Sequence, residues 1–261
     1  MLEIPEIFKT INYSEKPICF QWDKLTTERM ISQQIINHDL LDLICQLNYK
    51  ATFGLGTAAA EWIFWRFVSL RPQNSGKTLD AAFNSNDAHW LGLINKYYLY
   101  NWHITESYKS ILKDKVEPPL WATQHLLSGA RFNYIETRPT LYGNVTRLLT
   151  LARYISEEDQ LFDSWFNEVF LRAQELFPNR QWPINEKISK NNMDMMYDSN
   201  QDPFIPREFY FTTSFNYQSA NLVESQNKLL TEANPSTNDF FSTPENMINA
   251  GFNGVPYKII K

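Results

Sequence analysis

The carboxylate of Glu61 is the side chain in this sequence most suited to chemistry. It stands among Trp62, Phe64 and Trp65 in an almost wholly apolar stretch. Burial without a partner raises the pKa of a carboxyl group, and such a group can serve as a general acid. A buried carboxylate can equally be a structural group that meets an arginine or a tryptophan N–H from a neighbouring helix. Arg66 does not suit that role, because residues five apart point to different sides of a helix. We favour the structural interpretation.

No local motif for a metal or for nucleophilic catalysis is present. The sequence contains no H-E-x-x-H, G-x-S-x-G, Walker A or kinase pattern. Its histidines are scattered, at His38, His89, His103 and His125. We therefore expect no metal and no cofactor, since a zinc site needs three or four ligands. As an alternative, an enzyme site could assemble around an aromatic pocket from distant residues, namely Glu61, Asp87, His89 and His103.

A glycine pattern at Gly54-x-Gly56-x-x-Ala59 matches a dinucleotide-binding fingerprint. That fingerprint must follow a strand and open a helix within a βαβ unit. The preceding residues, 40–47, have a helical spacing of apolar side chains, and no strand–helix alternation occurs elsewhere. The small residues therefore indicate close packing between helices.

The element that must position Glu61 is the stretch 51–70, which is apolar on nearly every side. A helix of this kind is buried either in a large core or in lipid. Glu61 and Arg66 near mid-span would be costly in a bilayer, and no lysine or arginine asymmetry flanks the segment. The sequence thus predicts a water-soluble, mainly α, multi-helix globular domain built around this helix.

The remaining sequence predicts a helical core domain over residues 1–178 and a second part over 179–261. That second part combines an Asn-rich linker with a C-terminal segment that wraps back. A short strand is considered for 209–215 and a helix for 222–230. Thr243, Pro244 and Gly251 have the order of N-cap, first helical residue and C′ glycine, and so predict a short helix near 244–250.

The clearest helical pattern is amphipathic and spans residues 156–177. Its apolar side chains recur at intervals of three and four residues: Phe162, Trp165, Phe166, Val169, Phe170, Ala173 and Leu176. The same stretch holds six acids and a single base, Arg172. The acids could form a solvated face, complement the helix dipole or pair with basic residues of 100–155. They could also form an acidic docking face for a basic protein.

Composition favours a protein partner over nucleic acid. The 261 residues carry a net charge of −5, and 15% are aromatic. A general nucleic-acid binder would carry a basic stripe instead. Two cysteines, Cys19 and Cys45, make no disulfide framework, and the first residues lack a secretory signal, so we expect a protein of the reducing cytoplasm with no membrane partner.

These features together predict a protein-binding module that blocks its partner. Bacterial immunity proteins, which mask a toxin's active site in the cytoplasm, are similar in type, being acidic, aromatic-rich and without catalytic motifs. An adaptor without inhibitory function and the dispersed-site enzyme remain alternatives. The predicted interface consists of acidic residues and two aromatic anchors expected to be exposed: Glu157, Glu158, Asp163, Glu168, Tyr197 and Phe204.

Overall fold

The computed structural model describes residues 3–11, 17–68, 76–100, 116–157, 160–179 and 199–259. Over these ranges the chain forms α-helices and two short 3-10 turns (96–98 and 199–201), without a β-strand. The mainly α fold class is thereby confirmed. In chain order the helices are α1 (Glu6–Thr10), α2 (Lys24–Ile31), α3 (His38–Ile44), α4 (Tyr49–Val68), α5 (Gly76–Gly92), α6 (Glu117–Ile135), α7 (Thr140–Ile155), α8 (Gln160–Leu176), α9 (Arg207–Phe211), α10 (Leu222–Glu232) and α11 (Pro244–Asn249).

Helix α4 is the centre of the fold, as the sequence predicts. Every residue from Tyr49 to Phe67 is buried, and α5, α6, α7 and α9 all pack against this helix. A β-carbon on Gly54 would clash with the phenol ring of Tyr210, and one on Gly56 would lie 2.8 Å from a methyl carbon of Val145. The small residues therefore serve close helix packing, as predicted. No helix in the described ranges has the length and apolar character needed to span a membrane.

Helix α8 packs on the core through its apolar side. Phe162, Trp165, Val169, Phe170 and Ala173 are buried, which confirms the amphipathic pattern. The indole Nε1 of Trp165 donates a 2.7 Å hydrogen bond to the carbonyl of Tyr210. This bond anchors α9 to α8.

The C-terminal part of the chain packs against the helical core. Phe209, Tyr210 and Phe211 are all buried within α9, so the strand considered for 209–215 is wrong. A run of aromatic residues has a high strand propensity. Where every side of such a segment is enclosed, however, tertiary packing determines its secondary structure. The helix predicted near 244–250 is confirmed as α11, because the hydroxyl of Thr243 accepts a 3.2 Å hydrogen bond from the amide of Asn246 and Gly251 adopts a φ of 97°. The α10 helix confirms the one considered for 222–230.

Candidate functional site

The carboxylate of Glu61 is sealed inside the protein, at 2% exposure, and receives hydrogen bonds from three helices. Trp65 Nε1 lies 3.0 Å from Oε1, while Asn86 Nδ2 and Trp90 Nε1 lie 3.2 and 2.8 Å from Oε2. The Nε of Arg207 is 3.2 and 3.0 Å from the two oxygens, and its Nη2 also donates to Oε1. The prediction that Glu61 meets an arginine and a tryptophan N–H from neighbouring helices is confirmed.

The local sequence explains how these partners converge. Asn86 and Trp90 lie one turn apart on α5 and so present their donors on the same side. Arg207 is the first residue of α9, which follows Pro206. Burial lowers the pKa of Arg207, but the Glu61 carboxylate outweighs that effect, and the net pKa is above the ordinary value. The cluster of Glu61, Trp65, Asn86, Trp90 and Arg207, here called the Glu61 network, joins α4, α5 and α9.

Asp87 and His89, the other described residues of the enzyme hypothesis, do not converge on one point. Asp87 is half-buried on α5, close enough to Arg207 for its charge to raise the pKa of that group. His89 points towards α6 and is completely buried, with Nδ1 2.6 Å from the carbonyl of Ser85 and Nε2 3.4 Å from that of Leu127. Burial, followed by the charge of Arg131, lowers the pKa of His89 to about 4, so the ring is neutral at pH 7. His103 lies outside the described residues.

A cleft of about 520 Å³ opens between the N-terminal segment, α9 and α10. Neither Glu61, Asp87 nor His89 is among its described lining residues, which are Glu3, Ile4, Pro5, Glu6, Lys9, Arg207, Glu208, Phe211, Thr212, Ser225, Lys228, Leu229 and Glu232. Arg207 is the link between this cleft and the Glu61 network, but its guanidinium is already paired. Within the described part of the chain, no three His, Cys, Asp or Glu side chains cluster as metal ligands would.

Two of the predicted interface residues are turned inward. The carboxylate of Glu157 accepts hydrogen bonds of 2.7 and 3.2 Å from the backbone amides of Cys19 and Phe20, and lies 3.6 Å from Arg66. Glu157 thus holds the N-terminal segment against the core. Phe204 is 5% exposed, so the expectation that it forms an exposed anchor is wrong. Its burial follows from its place in the apolar run that leads into α9. Glu158 and Tyr197 lie outside the described residues.

The outward face of α8 retains the other predicted acids. The side chains of Asp163 and Glu168 are 37% and 43% exposed, and they face Arg153 and Arg172 at 2.9 and 3.6 Å respectively. Glu175 is exposed on the same helix. Exposed ion pairs of this kind contribute at most about 1 kcal/mol to stability, so they leave the acids available for another role.

Two exposed leucines on α8 were missed by the sequence reasoning. Leu161 is 46% exposed and Leu171 is 61% exposed. On a helical wheel they share one face with Glu168 and Glu175, about 15 Å apart along the axis. The signal for them was present in the sequence, because neither leucine fits the spacing of the buried aromatic residues. We call Leu161, Glu168, Leu171 and Glu175 the α8 face.

Comparison with protein-family models, with curated proteins and with solved structures gives no match for this chain. The candidate functional site is therefore assigned from the geometry of this chain alone. The Glu61 carboxylate is closed to solvent, and the network around it fits a structural role. The α8 face combines apolar and acidic side chains that solvent reaches along its length, and this combination is typical of a surface that another protein covers.

Proposed function

We propose that this chain is a protein-binding module of the immunity type, which covers and blocks a basic partner such as a toxin in the bacterial cytoplasm. The α8 face is the proposed docking surface. Of the described acids singled out in the sequence, the α8 face keeps Glu168, while Asp163 lies outside it. This assignment replaces Glu157 and Phe204 with Leu161 and Leu171.

The observation that carries the proposal is the exposure of two leucines beside carboxylates on one helix face. Leu171 alone is 61% exposed. Single exposed leucines are common, but apolar side chains framed by charges on one rigid helix have the composition of an interface centre and its rim. Because α8 is held to the core through its buried aromatic side, the face is presented without reorganisation on binding.

Charge supports a basic partner. The chain carries a net charge of −5, and the exposed carboxylates of Glu168 and Glu175 lie beside the leucines. Complementary charge speeds association and rejects acidic competitors, while the desolvated apolar anchors supply most of the binding energy. Apolar and charged substitutions on the α8 face should therefore affect different rate constants.

The test begins with the full chain as bait, and a basic protein that it retains is purified. Binding is then measured by calorimetry and by surface plasmon resonance. Leu171→Asp should weaken the affinity at least tenfold, mainly through faster dissociation. Glu168→Lys should slow association and reduce its dependence on salt. Co-expression should show that the chain suppresses the activity of the partner, and that Leu171→Asp suppresses it less.

Matched controls lie on α2. Leu25 is 71% exposed, and Glu28 pairs with Lys24 four residues away, as Glu168 pairs with Arg172. Leu25→Asp and Glu28→Lys should leave binding unchanged. If the α8 and α2 variants bind the partner with equal affinity, the α8 face is not the docking surface. A partner that binds without losing its activity would contradict the blocking function.

A further inference from the structure

Arg147 of α7 is a buried cation without an acceptor in the described part of the chain. The residue is 8% exposed, and its Nε has no hydrogen-bond partner. Its two Nη atoms make no hydrogen bond or ion pair to the described residues, but unlike Nε they are not closed to solvent. Burial lowers the pKa of Arg147, but an arginine remains charged at neutral pH.

The other buried arginines show how unusual this is. Arg66 donates a 2.9 Å hydrogen bond to the carbonyl of Pro17 and lies near Glu157. Arg207 is paired with Glu61. Arg131 shares an Nε without a hydrogen-bond partner, but its Nη1 donates to the carbonyl of Tyr100. A buried charge that lacks both a counter-ion and hydrogen bonds is costly, so proteins pair such groups. Acceptors that the described chain does not supply would have to come from water or from a ligand.

The helix backbone comes close to the guanidinium of Arg147. Gly143 lies one turn earlier on α7, and its lack of a side chain leaves a carbon-sized gap beside the guanidinium. A β-carbon at Gly143 would lie 3.6 and 3.7 Å from Nη2 and Nη1 of Arg147, and 3.5 Å from the Cδ1 atom of Ile36. The niche is therefore formed by a helix backbone, an apolar side chain and a cation.

A second potential donor, His125, lies on α6, which packs against α7. The imidazole of His125 is stacked on Trp121, with ring centroids 5.1 Å apart and an angle of 18° between the planes. The residue as a whole is exposed. Burial of part of the ring, followed by the charge of Arg147, lowers the pKa of His125. An anion between them would remove their repulsion.

We propose that the niche formed by Ile36, Gly143 and Arg147 binds an oxyanion, either a phosphate or the carboxylate of a small molecule. Arg147 would bind two oxygens through its planar guanidinium, and His125 would donate a further hydrogen bond. Ile36 and Trp121 would pack against the apolar part of a carboxylate ligand. This site is independent of docking through the α8 face and could exist without it.

The test titrates the full chain with inorganic phosphate, sulfate or acetate at constant ionic strength. The melting temperature and the NMR titration of His125 are followed. A ligand that binds the folded state raises the melting temperature in a saturable way. Wild-type protein should show this rise, and the pKa of His125 should rise when the anion neutralises Arg147. A response to phosphate and sulfate but not acetate identifies a phosphate-type ligand, and the reverse identifies a carboxylate.

Arg147→Met should abolish both responses, and Arg147→Lys should weaken binding at least tenfold because an ammonium lacks the planar fork. Arg153 offers a matched control on the same helix, since its side chain is 62% exposed and paired with Asp163. Arg153→Met should respond as the wild type does. If Arg147→Met and the wild type respond equally, or if no anion shifts His125 saturably in the wild type, the proposal is overturned. If Arg147→Met folds poorly, the measurements on the wild type and on Arg147→Lys still test whether the niche binds an anion.

Discussion

Two buried arginines of this protein meet opposite environments. Arg207 enters the core at the start of α9 and finds the Glu61 carboxylate, which three other side chains also hold. Arg147 is also buried on α7, but its Nε has no hydrogen-bond partner and no described residue accepts a hydrogen bond from its guanidinium. The first arginine completes a junction between helices. The second is a charge that no side chain of the described chain pairs. We therefore assign Arg207 to stability and Arg147 to the binding of an anion.

The largest expected effect comes from breaking the completed junction. Glu61→Gln would leave Arg207 buried without its counter-charge, and the loss of one partner of a buried pair costs about 3–5 kcal/mol of unfolding free energy. Urea unfolding measured by circular dichroism tests this. Glu168→Gln removes an exposed, paired acid on α8 and should change stability by less than about 0.5 kcal/mol. A loss below about 1 kcal/mol for Glu61→Gln would show that the network does not hold α9 to the core.

His89 extends the comparison of buried basic groups, because burial keeps its ring neutral and no carboxylate pairs with it. Its pKa is lowered to about 4 in the folded protein, against about 6.5 when unfolded. The unfolded chain therefore binds more protons between these values, and stability falls as the pH is lowered from 6.5 to 4. The decrease attributable to His89 is about 3 kcal/mol.

The measurement is the difference between the wild type and His89→Phe across that pH range. Phenylalanine keeps the ring packing against Phe53, whose centroid lies 5.4 Å from that of His89, but it cannot be protonated. The variant should show a flatter pH dependence. Parallel curves for the two proteins would mean that His89 accepts a proton in the folded state as readily as in the unfolded one.

The sequence predicted those parts of the fold that depend on local patterns. The apolar run of α4, the amphipathic spacing of α8 and the Thr243 cap of α11 are local signals, and the structure contains all three elements. The strand considered for 209–215 is wrong because residues 45 to 159 positions away decide its environment. Trp165 and α4 enclose the aromatic run of α9, and nothing within the run records that enclosure.

The candidate sites divide in the same way. A partner for Glu61 could be expected from its apolar surroundings, but its identity as Arg207 depends on a contact between residues 146 positions apart. The leucines of the α8 face are visible as exceptions to the helical pattern. The isolation of Arg147 has no local signal, since an arginine on a helix normally extends to solvent. Only the packing of α2, α6 and α7 reveals it.

Removing the unpaired charge of Arg147 and removing the paired charge of Arg207 should change the unfolding free energy in opposite directions. In a buffer free of phosphate and carboxylates, Arg147→Met should raise the unfolding free energy by about 1 kcal/mol, because an apolar side chain of similar length replaces an unsatisfied buried cation. Arg207→Met should lower it, since Glu61 then loses its counter-charge. Thermal and urea unfolding of both variants give the comparison. A destabilised Arg147→Met would indicate that the guanidinium already has a stabilising acceptor.

The smallest effect on stability is expected at the α8 face, where the consequence should appear in binding instead. Leu171 is 61% exposed, so Leu171→Ser removes little buried surface, and its unfolding free energy should remain within about 0.5 kcal/mol of the wild type. Val169 on the buried side of the same helix is the contrast, because Val169→Ala deletes core contacts and should cost about 1–3 kcal/mol. A stability loss at Leu171 as large as that at Val169 would mean that another part of this chain covers the leucine. The α8 face would then be an internal contact, and the exposed apolar surface on which partner docking depends would not exist.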